Sequence, residues 1–354
     1  MILAGDIGGT QTRFALFEAG QPRAAFEVRY ESGDYAGFGL VLERFVADAR
    51  AALGGLPWIE TACLGVAGPV SPGRVELTNL AWVIDAAEVA RCLDVERVAL
   101  INDFAAIVHG LENLGEGDLA TLQAGEPAAG APRVVLGAGT GLGIAYAVAS
   151  PGGGYRPIPG EGGHGAFAPA NDEQAALWKY LHERVGRVTL EHLLSGAGLR
   201  RVYEFVLARG GSSESAPLRA ELAATVSAEP ITRHALEHGD PLALAALDLF
   251  IACYGAAAGD HALNVLARGG VFIAGGIVAR ILARLSDGGF IAAFNDKAAF
   301  SGHARRMPVH AIVNERVGLQ GAAAFAARTD SGAAAFAART DSGAAAPAVR
   351  TTPP

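Results

Sequence analysis

Gly5-Asp6-Ile7-Gly8-Gly9-Thr10 turns one apolar run into another, and Gly137-Ala-Gly-Thr-Gly-Leu-Gly143 repeats that chemistry about a domain's length further on. Glycines let main-chain N–H groups approach phosphate oxygens closely, and the hydroxyl of Thr10 or Thr140 adds a donor. Asp6, at a strand end, can hold a hydrated Mg²⁺ beside the phosphates. Alone, the first turn reads equally as an ordinary hairpin with a Gly-Gly bulge. Two such loops facing one another across a cleft would grip a di- or triphosphate from both sides. Neither is a Walker A loop, because the only lysines, Lys179 and Lys297, follow Trp and Asp rather than Gly.

Ile101-Asn102-Asp103-Phe104 ends an apolar strand, Val98–Ile101, in an amide and a carboxylate and then opens a helical run. At the carboxyl end of a strand in an open α/β sheet such residues look into the ligand crevice; the plain alternative is that Asn102 or Asp103 caps the helix. In a cleft, Asp103 would be ionised at neutral pH and able to accept a hydroxyl proton. Gly160-Glu-Gly-Gly-His-Gly165 has the GxGxxG spacing. Pro157 and Pro159 before it and Pro169 after it fit a rigid loop carrying Glu161 and His164, not a dinucleotide fingerprint. Glu191 sits in a short helix, where an exposed side chain is the default. Gly275-Gly276 follows the strand Val271–Ala274 and either admits a flat ring against the main chain or is a plain strand-to-helix turn. HExxH, paired CxxC and Gly-x-Ser-x-Gly are all missing, which argues against a zincin, a structural zinc site and an α/β-hydrolase.

Positioning these groups takes alternating strands and helices. Apolar runs at 2–10 with 12–17, at 61–67, at 98–101 and at 134–148 are strands, and Phe38, Leu42, Phe45, Val46 and Ala49 recur at helical spacing. That pattern points to an α/β layer architecture. Beyond Gly163 the pattern turns helical: a capping box at Asn171 to Gln174, a helix from Leu199 to Gly210, and a long one opening at Asp240-Pro241. Strands return at 271–274 and 309–313. The layout expected is a small α/β domain of residues 1–113 plus about 307–328, and a larger domain of 114–306. Gly321 to Ser331 recurs identically at 332–342 and decays from Gly343. One copy can complete a last helix; residues 329–354 add too little apolar surface to order themselves and read as a disordered tail.

The 354 residues amount to roughly two folding units of about 150. A formal charge of -8 offers no basic footprint for nucleic acid. Half the residues are hydrophobic, but the uncharged stretch 134–155 is broken by glycines and Pro151, and no run resembles about 20 continuous lipophilic residues, so no membrane span is expected. Cys63, Cys92 and Cys253 are an odd, scattered set, which points to a reducing, cytoplasmic setting, and the N-terminus has no basic n-region or cleavage site of a targeting peptide.

Gly-Asp-Ile-Gly-Gly-Thr, Ile-Asn-Asp-Phe, Gly-Ala-Gly-Thr-Gly-Leu-Gly, Pro-Gly-Glu-Gly-Gly-His, Leu-Ser-Gly-Ala-Gly-Leu and Phe-Ile-Ala-Gly-Gly-Ile-Val stand in this order across residues 1 to 328. Together they closely resemble the bacterial ATP-dependent glucokinases of the sugar kinase, actin and heat-shock chaperone ATPase superfamily. The resemblance implies a two-domain actin-like ATPase (ribonuclease H-like) fold with an interdomain cleft. It also implies ATP with Mg²⁺ as donor, D-glucose as acceptor at its 6-hydroxyl in the first step of glycolysis, and a cytoplasmic homodimer. Asp103 would be the catalytic base, and Asn102, Asp103, Glu161, His164 and Glu191 the glucose ligands. Gly5, Asp6, Ile7, Gly8, Gly9, Thr10, Gly139, Thr140 and Gly141 would form the phosphate loops, with Asp6 next to Mg²⁺, and Gly275 and Gly276 the adenosine loop. Gln11 stands where these kinases usually carry Asn, and the repeated tail has no counterpart in them. The repressor and kinase branch is disfavoured, because no Cys follows His164 until Cys253. A kinase for another hexose and a sugar sensor without catalysis are the competing readings; intact Asp6 and Asp103 speak against the sensor.

Overall fold

The computed structural model describes residues 1–77, 80–210 and 213–328; the expected tail lies outside them. The first apolar run is the strand Ile2–Ile7, which turns straight back into Gln11–Phe17 and then Ala24–Glu31, an antiparallel meander. Thr61–Val66 and Arg97–Asn102 join it in parallel, giving a five-stranded sheet. Register aligns Ile7 with Val66 and Val66 with Asn102, so three strands end together at one edge of the sheet. Phe14, Phe45 and Leu64 bury the opposite face against the helix Phe38–Leu53.

The second sheet repeats the plan. Arg133–Ala138, Leu142–Ala149 and Tyr155–Gly160 form an antiparallel meander, and Gly270–Ala274 and Val309–Ile312 add in parallel. Strand order and pairing senses match the first sheet, with Leu119–Gln123 appended at one edge. The similarity of the two Gly-rich turns is therefore the visible part of a whole repeated five-strand unit.

Three expectations need correction. Pro157 and Pro159 lie inside a strand rather than a loop, which is possible because Tyr155–Gly160 pairs only with Leu142–Ala149 and sits at the sheet edge. Val309–Ile312 belongs to the second sheet, so the chain returns to the first unit after that strand, with the helix Val317–Arg328, and not at residue 307. The helix Pro241–Val265 is long and apolar enough to cross a membrane by length and composition, but most of that stretch is buried inside the protein, against helices 196–209 and 289–295. Two helix starts also differ in detail. Gln174 reaches back to Ala170 N–H instead of Asn171, and the helix expected from Leu199 begins at Gly196 behind Ser195.

The helix Asp103–Gly110 links the two units. Val317–Arg328 packs along it, close enough that a Cβ on Gly321 would collide with Ala106 O. At its start, the Phe104 ring lies between Gly137 and Gly143 of the second sheet, where a Cβ on either glycine would strike it. Gly143→Val should therefore cost about 1–3 kcal/mol or more through overpacking and should disturb the residue before Phe104. Thermal melting of Gly143→Val, alone and with Phe104→Ala, checks this: the second change should restore part of the loss.

Candidate active site

Between the sheets runs a cleft of about 550 Å³ that opens at their aligned strand ends. Asp6, Gly8 and Gly9 line it from the first sheet, and Gly139, Thr140, Gly141, Gly275 and Gly276 from the second. Thr10 Oγ1 and Thr140 Oγ1 are 2.7 Å apart, so the two turns meet across the cleft. Strand alternation turns Gly5 and Ile7 the other way. A Cβ on Gly5 would press on Leu64 and Phe14, and Ile7 is fully buried in that core, so both lie behind the site. Ala138 N–H, at the start of the second turn, donates to Tyr254 Oη at 3.2 Å, tying the turn to the long core helix. Gly275 has φ of 98°, and a Cβ there would collide with Ala138 O; only glycine lets these two loops touch.

Asn102 both caps and lines. Its Oδ1 accepts from Phe104 N–H at 3.0 Å and Ala105 N–H at 3.1 Å, while its Nδ2 donates to Gly68 O at 3.4 Å. Asp103 follows at the first helical position, where its Oδ1 accepts from Phe104 N–H at 2.9 Å. Asn102, Asp103, Glu161, His164 and Glu191 all face the same cleft. Desolvation there, then the negative charge of Asp6, and to a smaller extent that of Glu161, push the Asp103 carboxyl up to about 7, against the lowering effect of backbone N–H groups, that of Phe104 first and its own second. Asp103 is therefore only part ionised at neutral pH, not fully as expected. Asp6 is raised for the same first reason, desolvation, with Arg13 pulling it down.

The loop at 160–165 and the turn at 139–142 share supports. Gly165 O accepts from Leu190 N–H at 2.9 Å, Leu142 N–H donates to Glu191 Oε2 at 2.9 Å, and Gly196 N–H donates to Gly139 O at 2.9 Å. Arg13, Arg29, Arg280 and Glu315 also line the cleft, with Arg13 Nη2 2.7 Å from Glu315 Oε2 and with Arg29 and Arg280 near enough to help lower the Glu315 carboxyl. Sequence reasoning missed this group. Arg13 had a signal: it stands opposite Asp6 in the hairpin register. Arg29, Arg280 and Glu315 come from distant segments and had none.

A cleft with paired Gly-Thr loops on one side and amide, imidazole and carboxylate groups on the other suits a phosphorylated donor and a polyhydroxylated acceptor. The glucokinase family model matches residues 3–329. The chain belongs to the glucokinase family. A glucokinase of Nostoc sp. is 38% identical over 93% of this chain and 99% of its own length. The crystal structure of a glucokinase from an Antarctic psychrotroph is 30% identical, with a TM-score of 0.76 over 92% of this chain and 98% of that one. A Balamuthia mandrillaris glucokinase, solved in complex with glucose, is 23% identical with a TM-score of 0.78 over 92% and 93% of the two chains, a likeness of fold. Membership in the glucokinase family makes the chain a hexose kinase, and its architecture is the two-domain actin-like ATPase fold.

Proposed function

We propose that the chain transfers the γ-phosphoryl group of ATP to the 6-hydroxyl of D-glucose, with Asp103 as general base. The observation that carries this reading is the meeting of the two Gly-Thr turns, 2.7 Å apart at Thr10 and Thr140, in the cleft that also holds Asp103. The 6-oxygen attacks phosphorus, the bond to the bridging oxygen breaks, ADP leaves, and the hydroxyl proton passes to Asp103. The transition state is loose, so loop N–H donors and the placement of the two substrates supply most of the acceleration. Asn102, Glu161, His164 and Glu191 hold the sugar hydroxyls, Gly8 to Thr10 and Gly139 to Gly141 the phosphates, and Gly275-Gly276 the adenosine.

The charge of Asp6 bears on Asp103 across the cleft they both line, and a divalent cation beside Asp6 would offset it, so the residues fit Mg²⁺ held by Asp6 through water. Bound with the nucleotide, Mg²⁺ supplies charge neutralisation on the phosphates. Among the described residues no three His, Cys, Asp or Glu side chains gather as a metal cage. Chelation should therefore stop turnover without lowering the melting temperature, read by a coupled ADP assay and a melt on the same sample. That assay also tests the function. ADP release that depends on glucose supports it, whereas glucose binding with no ADP release makes the protein a sensor and sinks it. Mannose, fructose and N-acetylhexosamines in the same assay settle the hexose. A cytoplasmic homodimer completes the reading, supported by three unpaired cysteines and the family likeness; a monomer in sedimentation equilibrium would remove the dimer.

A further inference from the structure

We infer that Glu191 couples occupancy of the sugar site to the second phosphate loop, and that residue 141 is glycine because this link needs the room. This rests on the sugar role proposed above for Glu191. The segment 189–196 touches both loops, through Leu190 to Gly165 on the sugar side and through Glu191 to Leu142 and Gly196 to Gly139 on the phosphate side. Leu142 is the junction: its N–H is held by Glu191 Oε2, and its O lies where a Cβ on Gly163 of the sugar loop would collide with it. Among the described residues no protein group bonds Glu191 Oε1. One carboxylate oxygen thus holds the phosphate loop while the other is open to a sugar hydroxyl. A hydroxyl bonded to Oε1 fixes the carboxylate plane, and with it Leu142 N–H and the neighbouring Gly141. By reciprocity, anything that pushes the carboxylate off the loop weakens the sugar.

Gly141 offers the means to do so. Its φ lies outside the left-handed range, so alanine suits the backbone, yet a Cβ would collide with Glu191 Oε2, the movable end of a side chain. Gly141→Ala therefore displaces the carboxylate while leaving the path of the loop. The test is glucose binding by calorimetry with no nucleotide present, for wild type, Gly141→Ala, Glu191→Ala and the double variant, each checked by melting. Gly141→Ala should weaken glucose by roughly 5-fold to 150-fold, the range of ordinary coupling. In the Glu191→Ala background the same change should have no further effect. If Gly141→Ala binds glucose as wild type does while Glu191→Ala is weakened, the link is overturned and the sugar role stands. Equal weakening in both backgrounds also overturns the link, because the effect then bypasses the carboxylate. If Glu191→Ala binds glucose normally, the sugar role itself fails. Should Glu191→Ala not fold, Glu191→Ser removes the same carboxylate and takes its place in the cycle.

Discussion

Asp103→Asn is expected to lower kcat by roughly 10²-fold to 10⁴-fold, the range for a positioned general base, while glucose binding stays within an order of magnitude. The amide keeps an Oδ1 to accept the Phe104 N–H, so the helix start survives and only the proton acceptor is lost. The pH dependence is a second signature. Because the carboxyl is held at about 7 in the free enzyme, wild-type kcat/KM should rise with pH and level off above that value, whereas the residual activity of the variant should lack this step. Stability should move the opposite way. A carboxyl whose folded pKa lies above its unfolded value makes the folded state bind more protons, so wild-type stability declines as pH rises between about 4 and 7. Asn carries no charge, so the variant should melt higher than wild type at pH 8, by an amount on the order of a few kcal/mol, and the two should converge near pH 4. Steady-state rates, calorimetry and melts on one pair of proteins read all three; turnover near wild type would place the base elsewhere.

Glu161→Ala should remove discrimination at one end of the sugar only. A site built to hydrogen-bond a hydroxyl rejects the analogue that lacks it by up to about 10⁴-fold to 10⁵-fold, since its own polar groups are then stranded. Glu161 caps and His164 ends a short helical turn, Gly162–His164, that lines the cleft from the second unit, while Asn102 and Asp103 line it from the first. We assign the anomeric end to the former pair and the 4-hydroxyl to the latter. In Glu161→Ala, kcat/KM for glucose should fall and the penalty for an analogue altered at the anomeric end should vanish, while a 4-deoxy analogue is still rejected. If the variant treats every analogue as wild type does, the turn at 160–165 is not part of the sugar site.

Much of this site was legible because turn chemistry is local. Glycines, a Thr and an Asp at a strand end describe their own backbone, and Asn102-Asp103 at a strand-to-helix junction does likewise. What stayed hidden depends on partners. Tyr155–Gly160 reads as a loop because two prolines forbid a central strand, and only its edge position allows them. The strands Gly270–Ala274 and Val309–Ile312 are both plain in the sequence, but that they pair is not, so the second reads as part of the first unit. Asp6 could be told from Gly5 and Ile7 by the alternation of a strand, once the buried face is known. The charge state of Asp103 turns first on its burial between the two units and then on Asp6, nearly a hundred positions earlier, and no local pattern reports either.

The helix Val317–Arg328 carries a consequence for how the enzyme is made. It covers the Asp103–Gly110 helix and bonds to its end, where Arg328 Nη2 lies 2.7 Å from His109 Nδ1 across 219 residues of chain. At about 5–20 residues per second, a ribosome needs roughly 10 to 45 s to cross that gap. Throughout that interval the nascent chain shows the small-residue face of Ala106 and Gly110 to solvent, and Asp103 has no finished cleft around it. The cleft around Asp103 is thus completed only after almost the whole described chain has been made.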